Sequence, residues 1–378
     1  MFKKGSQTGK TDVTAENYDV AAYVWPSYTG RDPRSFIFWP NGEGEWQTVK
    51  VAKAKFPGHH QPRVPLLGYK DEAEKKTMEE QIDLAVSHGV NVFIYDWYWY
   101  DRRPFLECCL NDGFLKAKNR DKMKFYIMWA NHDANYTWDK RLAGKQDATV
   151  WLGSVDRAQF DEIADRIIER YFCQPNYYKT DGAPVFCVYD TDNLIKGLGG
   201  IEQTKDALLS FREKTVMAGF PALHLQAIAM SERALNVSGV DGKHMDCRET
   251  FRYLGFDSIT NYQYAHFTNI DRNYEHVMID VKRHWKKFSE MGIPYYPHVS
   301  LGWDNNPRFD SFRIGITRNN TPKNIEKALY DAKNFADELG VRLITINSWN
   351  EWTESSYLLP DDLNGYGYLD AVKKVFLP

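Results

Sequence analysis

Residues 321–355 read TPKNIEKALYDAKNFADELGVRLITINSWNEWTES, a helix pattern that runs into a strand pattern. Thr321 suits a helix N-cap, Pro322 the first helical position and Gly340 the C-terminal stop. Between them Ile325, Ala328, Leu329, Ala332, Phe335 and Ala336 recur every three to four residues, so one stripe of the helix faces a sheet. The next run, RLITINSWN at 342–350, is apolar and β-branched, as in a strand covered on both faces. A helix running into such a strand is one unit of a parallel α/β fold.

The same unit recurs along the chain. Strands are expected at 20–26, 90–99, 124–131, 185–190, 223–230, 256–262, 295–304 and 342–350. Helical periods are clearest at 76–88, 157–172, 202–218, 274–291 and 322–339. Eight units, with no G-x-G-x-x-G after an early strand, predict a single (β/α)8 TIM barrel with long βα loops rather than an open sheet. The barrel is assigned to 18–378, and 1–17 to a disordered leader. Segment 27–75 is rich in Pro and Gly without a helical period, and is expected to fold over the barrel mouth.

Composition narrows the function. Lys+Arg 48 against Asp+Glu 51 gives no basic stripe, which argues against nucleic acid. No apolar run of about 18 residues is present, so no membrane-spanning segment is expected. Aromatic residues make up 15% of the chain, with Trp 12 and Tyr 23, and such side chains suit the half-apolar faces of sugar rings as well as a barrel core. The five cysteines lack zinc spacing and are read as mostly free and buried; no metal or cofactor is expected. The polar start lacks a signal peptide's apolar stretch, which leaves the compartment open. Export to the periplasm or cell surface, with the signal absent from this chain, is one reading. A monomer is expected.

In a parallel barrel the chemistry gathers where strands end at the C-terminal face. Those ends carry Tyr23 and Trp25; Asp96, Trp97 and Trp99; Trp129, Asn131, His132 and Asp133; Tyr189 and Asp190; Tyr262; His298, Trp303 and Asp304; and Trp349 with the glutamates after it. An acidic residue after a strand is as readily an N-cap, and about half of these are given that role, Asp133 and Asp190 included. As a set they form a wall of stacking faces and hydrogen-bonding groups fit for an oligosaccharide or polysaccharide. Tyr23, Trp25, Asp96, Trp97, Trp99, Trp129, Asn131, Tyr262, His298, Trp303, Asp304 and Trp349 are therefore candidate substrate contacts. His60 joins them from the long loop, and Arg308 either contacts substrate or pairs with Asp304.

SWNEWTES at 348–355 is the sharpest feature. Glu351 and Glu354, three apart on a helical or tight-turn backbone, can point to one side. Apolar surroundings from Trp349 and Trp352 would raise one carboxyl above its partner, the division of labour that glycoside cleavage requires. A rim ion pair is the plainer reading. With the pair this close, the shorter carboxyl separation and retention of configuration are expected. No G-x-S-x-G or H-E-x-x-H competes.

At these residues the chain resembles the WbsX-like proteins, often labelled glycosyltransferases, and with them glycoside hydrolase family 99, the endo-α-mannosidases and endo-α-mannanases. The likeness runs from about Tyr18 to Pro360 through AAYVWPSY, EWQTVKVAKAKFPGHHQPRVPLLGY, YDWYW, MWANHDANYTW, GWDNNPR and SWNEWTES. It implies a retaining hydrolase of α-linked glycans, α-mannosides among them. It further implies that Glu351 takes the proton of the sugar's 2-hydroxyl, while Glu354 acts as acid and then base. Two departures stand out: MWANHDANYTW is one residue longer than the group's W-A-N-E-N-W, and SSYLLPDD replaces G-T-x-I-E-P. A sugar-nucleotide transferase and a non-catalytic carbohydrate-binding barrel are the rival readings.

Overall fold

A computed structural model describes residues 18–231 and 244–378. Eight parallel strands form its centre: β1 Asp19–Val24, β2 Val92–Tyr100, β3 Lys124–Trp129, β4 Ala183–Val188, β5 His224–Ile228, β6 Ser258–Thr260, β7 His298–Ser300 and β8 Leu343–Asn347. They are hydrogen-bonded in the order β6-β5-β4-β3-β2-β1-β8-β7. The ring is closed between β6 and β7 by a single parallel bridge, Ile259 to Tyr295. The predicted leader lies outside the described residues.

The helices are α1 Trp46–Lys50, α2 Lys75–Ser87, α3 Arg157–Ile167, α4 Thr191–Leu198, α5 Ile201–Met217, α6 Cys247–Leu254, α7 Tyr274–Ser289, α8 Pro322–Leu339 and α9 Gly367–Phe376. α8 forms as read: the Thr321 hydroxyl accepts from Asn324 N–H, and Gly340 ends it at φ 69°. The helix expected over 157–172 stays α-helical only to Ile167 and finishes as a π turn. Between β2 and β3 the chain makes a π turn at Cys109–Gly113 and short 3-10 turns in place of a long helix.

The long loop is more ordered than its composition suggested. Asp32 caps a 3-10 turn at Pro33–Ile37, and α1 follows because Trp46 packs on Tyr28 and Trp352. Gly44 is at φ 63°, and a Cβ there would lie 1.8 Å from the Ser27 carbonyl oxygen. Only glycine permits that approach, which delivers Glu45 beneath the loop. Of the five free cysteines Cys109, Cys187 and Cys247 are buried, Cys108 is half-buried and Cys173 is exposed. No helix among the described residues is long and apolar enough to cross a membrane.

Candidate active site

After β8 the chain turns back on itself. Asn350–Glu351 pairs antiparallel with Ser356–Tyr357, and Trp352–Glu354 makes a 3-10 turn ended by Ser355 at φ 53°. The Ser348 hydroxyl accepts from Glu351 N–H at 2.8 Å and donates to the Ser356 carbonyl at 2.7 Å, fixing the base of the turn. Asn350 ties it to β1: its Oδ1 accepts from Trp25 N–H, and its Nδ2 donates to the Trp25 carbonyl and to Glu72. Glu351 and Glu354 are thereby presented to a cavity of about 400 Å³ at the C-terminal mouth.

Arg308 serves this turn. Arg308 Nη1 donates to Glu354 Oε1 at 2.6 Å, Nη2 lies 3.6 Å from Glu351 Oε2, and Nε donates to Glu45 Oε1 at 3.3 Å. Glu45 is fully buried and also accepts from Trp25 Nε1 at 2.5 Å and the Thr353 hydroxyl at 3.0 Å. Burial alone would discharge Arg308, but Glu45, Glu354 and Glu351 hold it firmly protonated. Burial lifts Glu354 above the ordinary carboxyl range even against Arg308. Burial and the neighbouring Glu354 lift Glu351 further.

Opposite the glutamates, Tyr262 Oη is 2.9 Å from both Asp96 Oδ2 and Glu351 Oε1. Asp96 Oδ1 and Glu351 Oε2 are buried and have no hydrogen-bond partner among the described residues, although both residues line the cavity. Unpaired buried acceptors cost free energy, which donors on a hydroxylated ligand would recover. The remaining wall comes from Trp25, Tyr98, Met128, Ala130, His132, Asp133, Asn135, Thr137, Trp138, Tyr189, Asp190 and Met230.

Of the residues singled out from sequence, Trp25, Asp96, Tyr262, Arg308, Glu351 and Glu354 meet at this cavity. Others are placed elsewhere, chiefly because side chains alternate along a strand. With Asp96 and Tyr98 pointing inward, Trp97 and Trp99 point to the helix layer, where their indole N–H groups donate to Glu107 and Gln159. Trp129 likewise packs on Phe160, and Trp349 donates to Gln81 of α2. Tyr23 and His298 lie inside the barrel, bonded to the Asn261 carbonyl and to Thr345 and Ser300. Asn131 exchanges two bonds with the Asp190 backbone, and Trp303 is half-buried away from the cavity wall.

His60 is 40% exposed and contacts Asp362; its neighbour His59 is the buried one, 2.7 Å from Asp304. Asp304 does not pair with Arg308. Although burial would raise it, His59 and Asn306 hold the Asp304 carboxyl below its usual range, and its N–H donates to the Glu354 carbonyl. Asp190 is an N-cap, accepting from Asn193 N–H, and Asp133 accepts from Gly153 N–H. Sequence reading missed Glu45, Trp138 and Tyr98. Glu45 sits in a loop without period, and its only local signal is the Gly-Glu-Trp that brings it beneath the loop.

A (β/α)8 barrel with a carboxylate cluster around one arginine at the end of its last strand is thus the class of molecule at hand. Residues 21–372 match the family described as Glycosyltransferase WbsX, and the chain belongs to that family. It is 25% identical over 360 residues to the uncharacterized protein WxcX of Xanthomonas campestris pv. campestris, a match covering 90% of this chain and 47% of WxcX. The chain thus spans about half the length of the curated relatives it matches. Among solved structures, the GH99 endo-alpha-mannosidase of Bacteroides thetaiotaomicron is similar, with TM-score 0.58 and 14% identity over 96% of this chain and 97% of that one. A glycoside hydrolase-like protein aligns with TM-score 0.63 and 15% identity, over 99% of this chain and 97% of its own. At such identities the likeness is one of fold.

Proposed function

We propose that the protein is a carbohydrate-active enzyme that hydrolyses an α-linked glycan, with Glu351 and Glu354 as its catalytic pair. The observation that carries this reading is the Arg308 bridge between two buried glutamates that face one cavity at the end of β8. Glu351, which lines the cavity and has one oxygen without a hydrogen-bond partner among the described residues, is the base toward the sugar's 2-hydroxyl. Glu354, lifted by burial, carries a proton to the departing oxygen and afterwards accepts one from water. Trp25, Trp138 and Tyr98 supply stacking faces for the rings. An α-mannoside is the first substrate to try, given the GH99 endo-alpha-mannosidase among the similar structures.

The experiment is incubation with α-linked oligosaccharides, proton NMR of the first-formed anomer, and the Glu351→Gln and Glu354→Gln variants beside the parent. Retention is expected, together with loss of turnover for a substrate lacking the 2-hydroxyl. Inversion would sink participation of that hydroxyl and recast the pair as acid and water-activating base. The family's description favours a second reading, transfer from a sugar nucleotide. Calorimetric titration decides between them: micromolar binding of a nucleoside diphosphate sugar would overturn the hydrolase.

A further inference from the structure

The Tyr262 hydroxyl has one proton and two carboxyl oxygens at 2.9 Å, Asp96 Oδ2 and Glu351 Oε1. It can donate to only one of them; the other contact is a hydrogen bond only if that carboxyl brings a proton of its own. Two bare carboxylates around one hydroxyl would leave one repelled by the phenol oxygen's lone pairs. The cluster therefore contains a carboxylic acid, and the surroundings indicate which.

Glu351 has Arg308 Nη2 at 3.6 Å from its Oε2. Among the described residues Asp96 has no cation beside it: its carboxyl neighbours are Glu351 and Glu354, and its side-chain hydrogen bond is the one to Tyr262. The other titratable groups facing it are Tyr98 on its own strand, Tyr23 on β1, and Cys187 and Tyr189 on and after β4. Burial pushes each of these upward, so each stays neutral and none offsets an aspartate anion. The residue is 3% exposed.

We propose that Asp96 and Glu351 share one proton through the Tyr262 hydroxyl, with Asp96 holding it in the resting state, so that Asp96 is the positioning residue that keeps Glu351 an anion. The Asp96 acid donates to the Tyr262 oxygen, and Tyr262 donates to Glu351 Oε1. Glu351 Oε2 is then the free lone pair that faces the cavity. Burial, Tyr262 and Glu354 together leave the Asp96 carboxyl well above its usual range, in keeping with this assignment. The consequence for catalysis rests on the glycosidase reading, whereas the proton's location does not.

The test needs no substrate. Protein labelled with carbon-13 at the aspartate side-chain carboxyls, and separately at those of glutamate, is followed by NMR against pH in H₂O and D₂O. One aspartate is expected to show the shift and deuterium displacement of a protonated acid at neutral pH, and Asp96→Asn should remove that resonance. Because the amide mimics the neutral acid, Asp96→Asn should leave the Glu351 midpoint within about 0.3 units, and Tyr262→Phe should raise it by about one unit or more, the worth of a hydrogen bond to a charged group. A Glu351 midpoint that falls by about a unit in Asp96→Asn would mean that the aspartate was an anion, and would overturn the proposal. So would a parent spectrum in which every aspartate is ionised at neutral pH, a result that stands even if a variant fails to fold. Absence of hydrolysis in the separate activity assay would remove the catalytic consequence and leave the NMR result untouched.

Discussion

Arg308 is the residue on which the cluster turns, because Glu45, Glu351 and Glu354 all reach the same guanidinium from two different loops. Arg308→Met keeps much of the volume and strands buried carboxyls, a change that costs about 3–5 kcal/mol. The pH sense comes from the raised glutamates. The fold raises both relative to the unfolded chain, so the stability they contribute is full below the ordinary carboxyl range and is lost as pH rises through the raised values. Without Arg308 those values climb further, so urea unfolding should show a deficit that widens from mildly acidic to mildly alkaline pH. A deficit equal at both ends would mean that the arginine only packs. The two glutamates should also part company kinetically. Glu354→Gln should slow poor leaving groups far more than activated aryl glycosides, since only the former need its proton, while Glu351→Gln should slow both. Steady-state rates on a matched pair of substrates check this.

Strands, helices and the turn that carries Glu351 and Glu354 were legible to different degrees, and the difference is physical. Apolar runs and 3.6-residue periods placed all eight strands and the five clearest helices, because burial between two layers writes itself into consecutive residues. SWNEWTES stood out for the same reason: LITI must enter the sheet, so the residues after it must emerge at the mouth. The direction of each side chain was harder to read. YDWYWY carries aromatics on both faces, and only the inward register of Asp96 and Tyr98 shows that Trp97 and Trp99 look outward. Glu45 and Arg308 meet across 263 residues through irregular loops, a contact that no local period encodes. The strand register gives a paired test. Trp99→Ala, which empties the layer against α3, should cost about 3–5 kcal/mol of stability and leave glycan affinity nearly unchanged. Trp138→Ala, at the cavity wall, should weaken glycan binding by roughly tenfold, about 1.4 kcal/mol. Chemical denaturation and isothermal titration, run on both variants, separate the two effects.

At the scale of the whole barrel, the ring is uneven. β1 is laddered to β2 on one side and to β8 on the other, with four register pairs to each, and β2 continues into six pairs with β3. Between β6 and β7 the backbone provides only Ile259 N–H to the Pro294 carbonyl and Tyr296 N–H to the Ile259 carbonyl, both at 2.9 Å. Side chains reinforce that seam: the Thr260 hydroxyl donates to the Tyr296 carbonyl, and the Tyr295 hydroxyl donates to Asn261 Oδ1 at 2.6 Å. Tyr262, which holds the proton-sharing contacts, comes directly after β6, so the weakest seam borders the candidate site. Local opening draws on regions with few cooperative backbone bonds. Native-state hydrogen exchange should therefore find the amides of Ile259 and Tyr296 exchanging through a smaller opening free energy than those of Phe93, Ile94 or Ile344 in the laddered arc. A bound glycan that donates to Asp96 and Glu351 would brace Tyr262 from the cavity side and should raise protection at the seam more than in the arc, by up to the binding free energy that the ligand supplies. Equal protection around the ring in the free protein would show that the Thr260 and Tyr295 contacts close the barrel as firmly as a ladder does, and would remove the seam as a source of motion at the site.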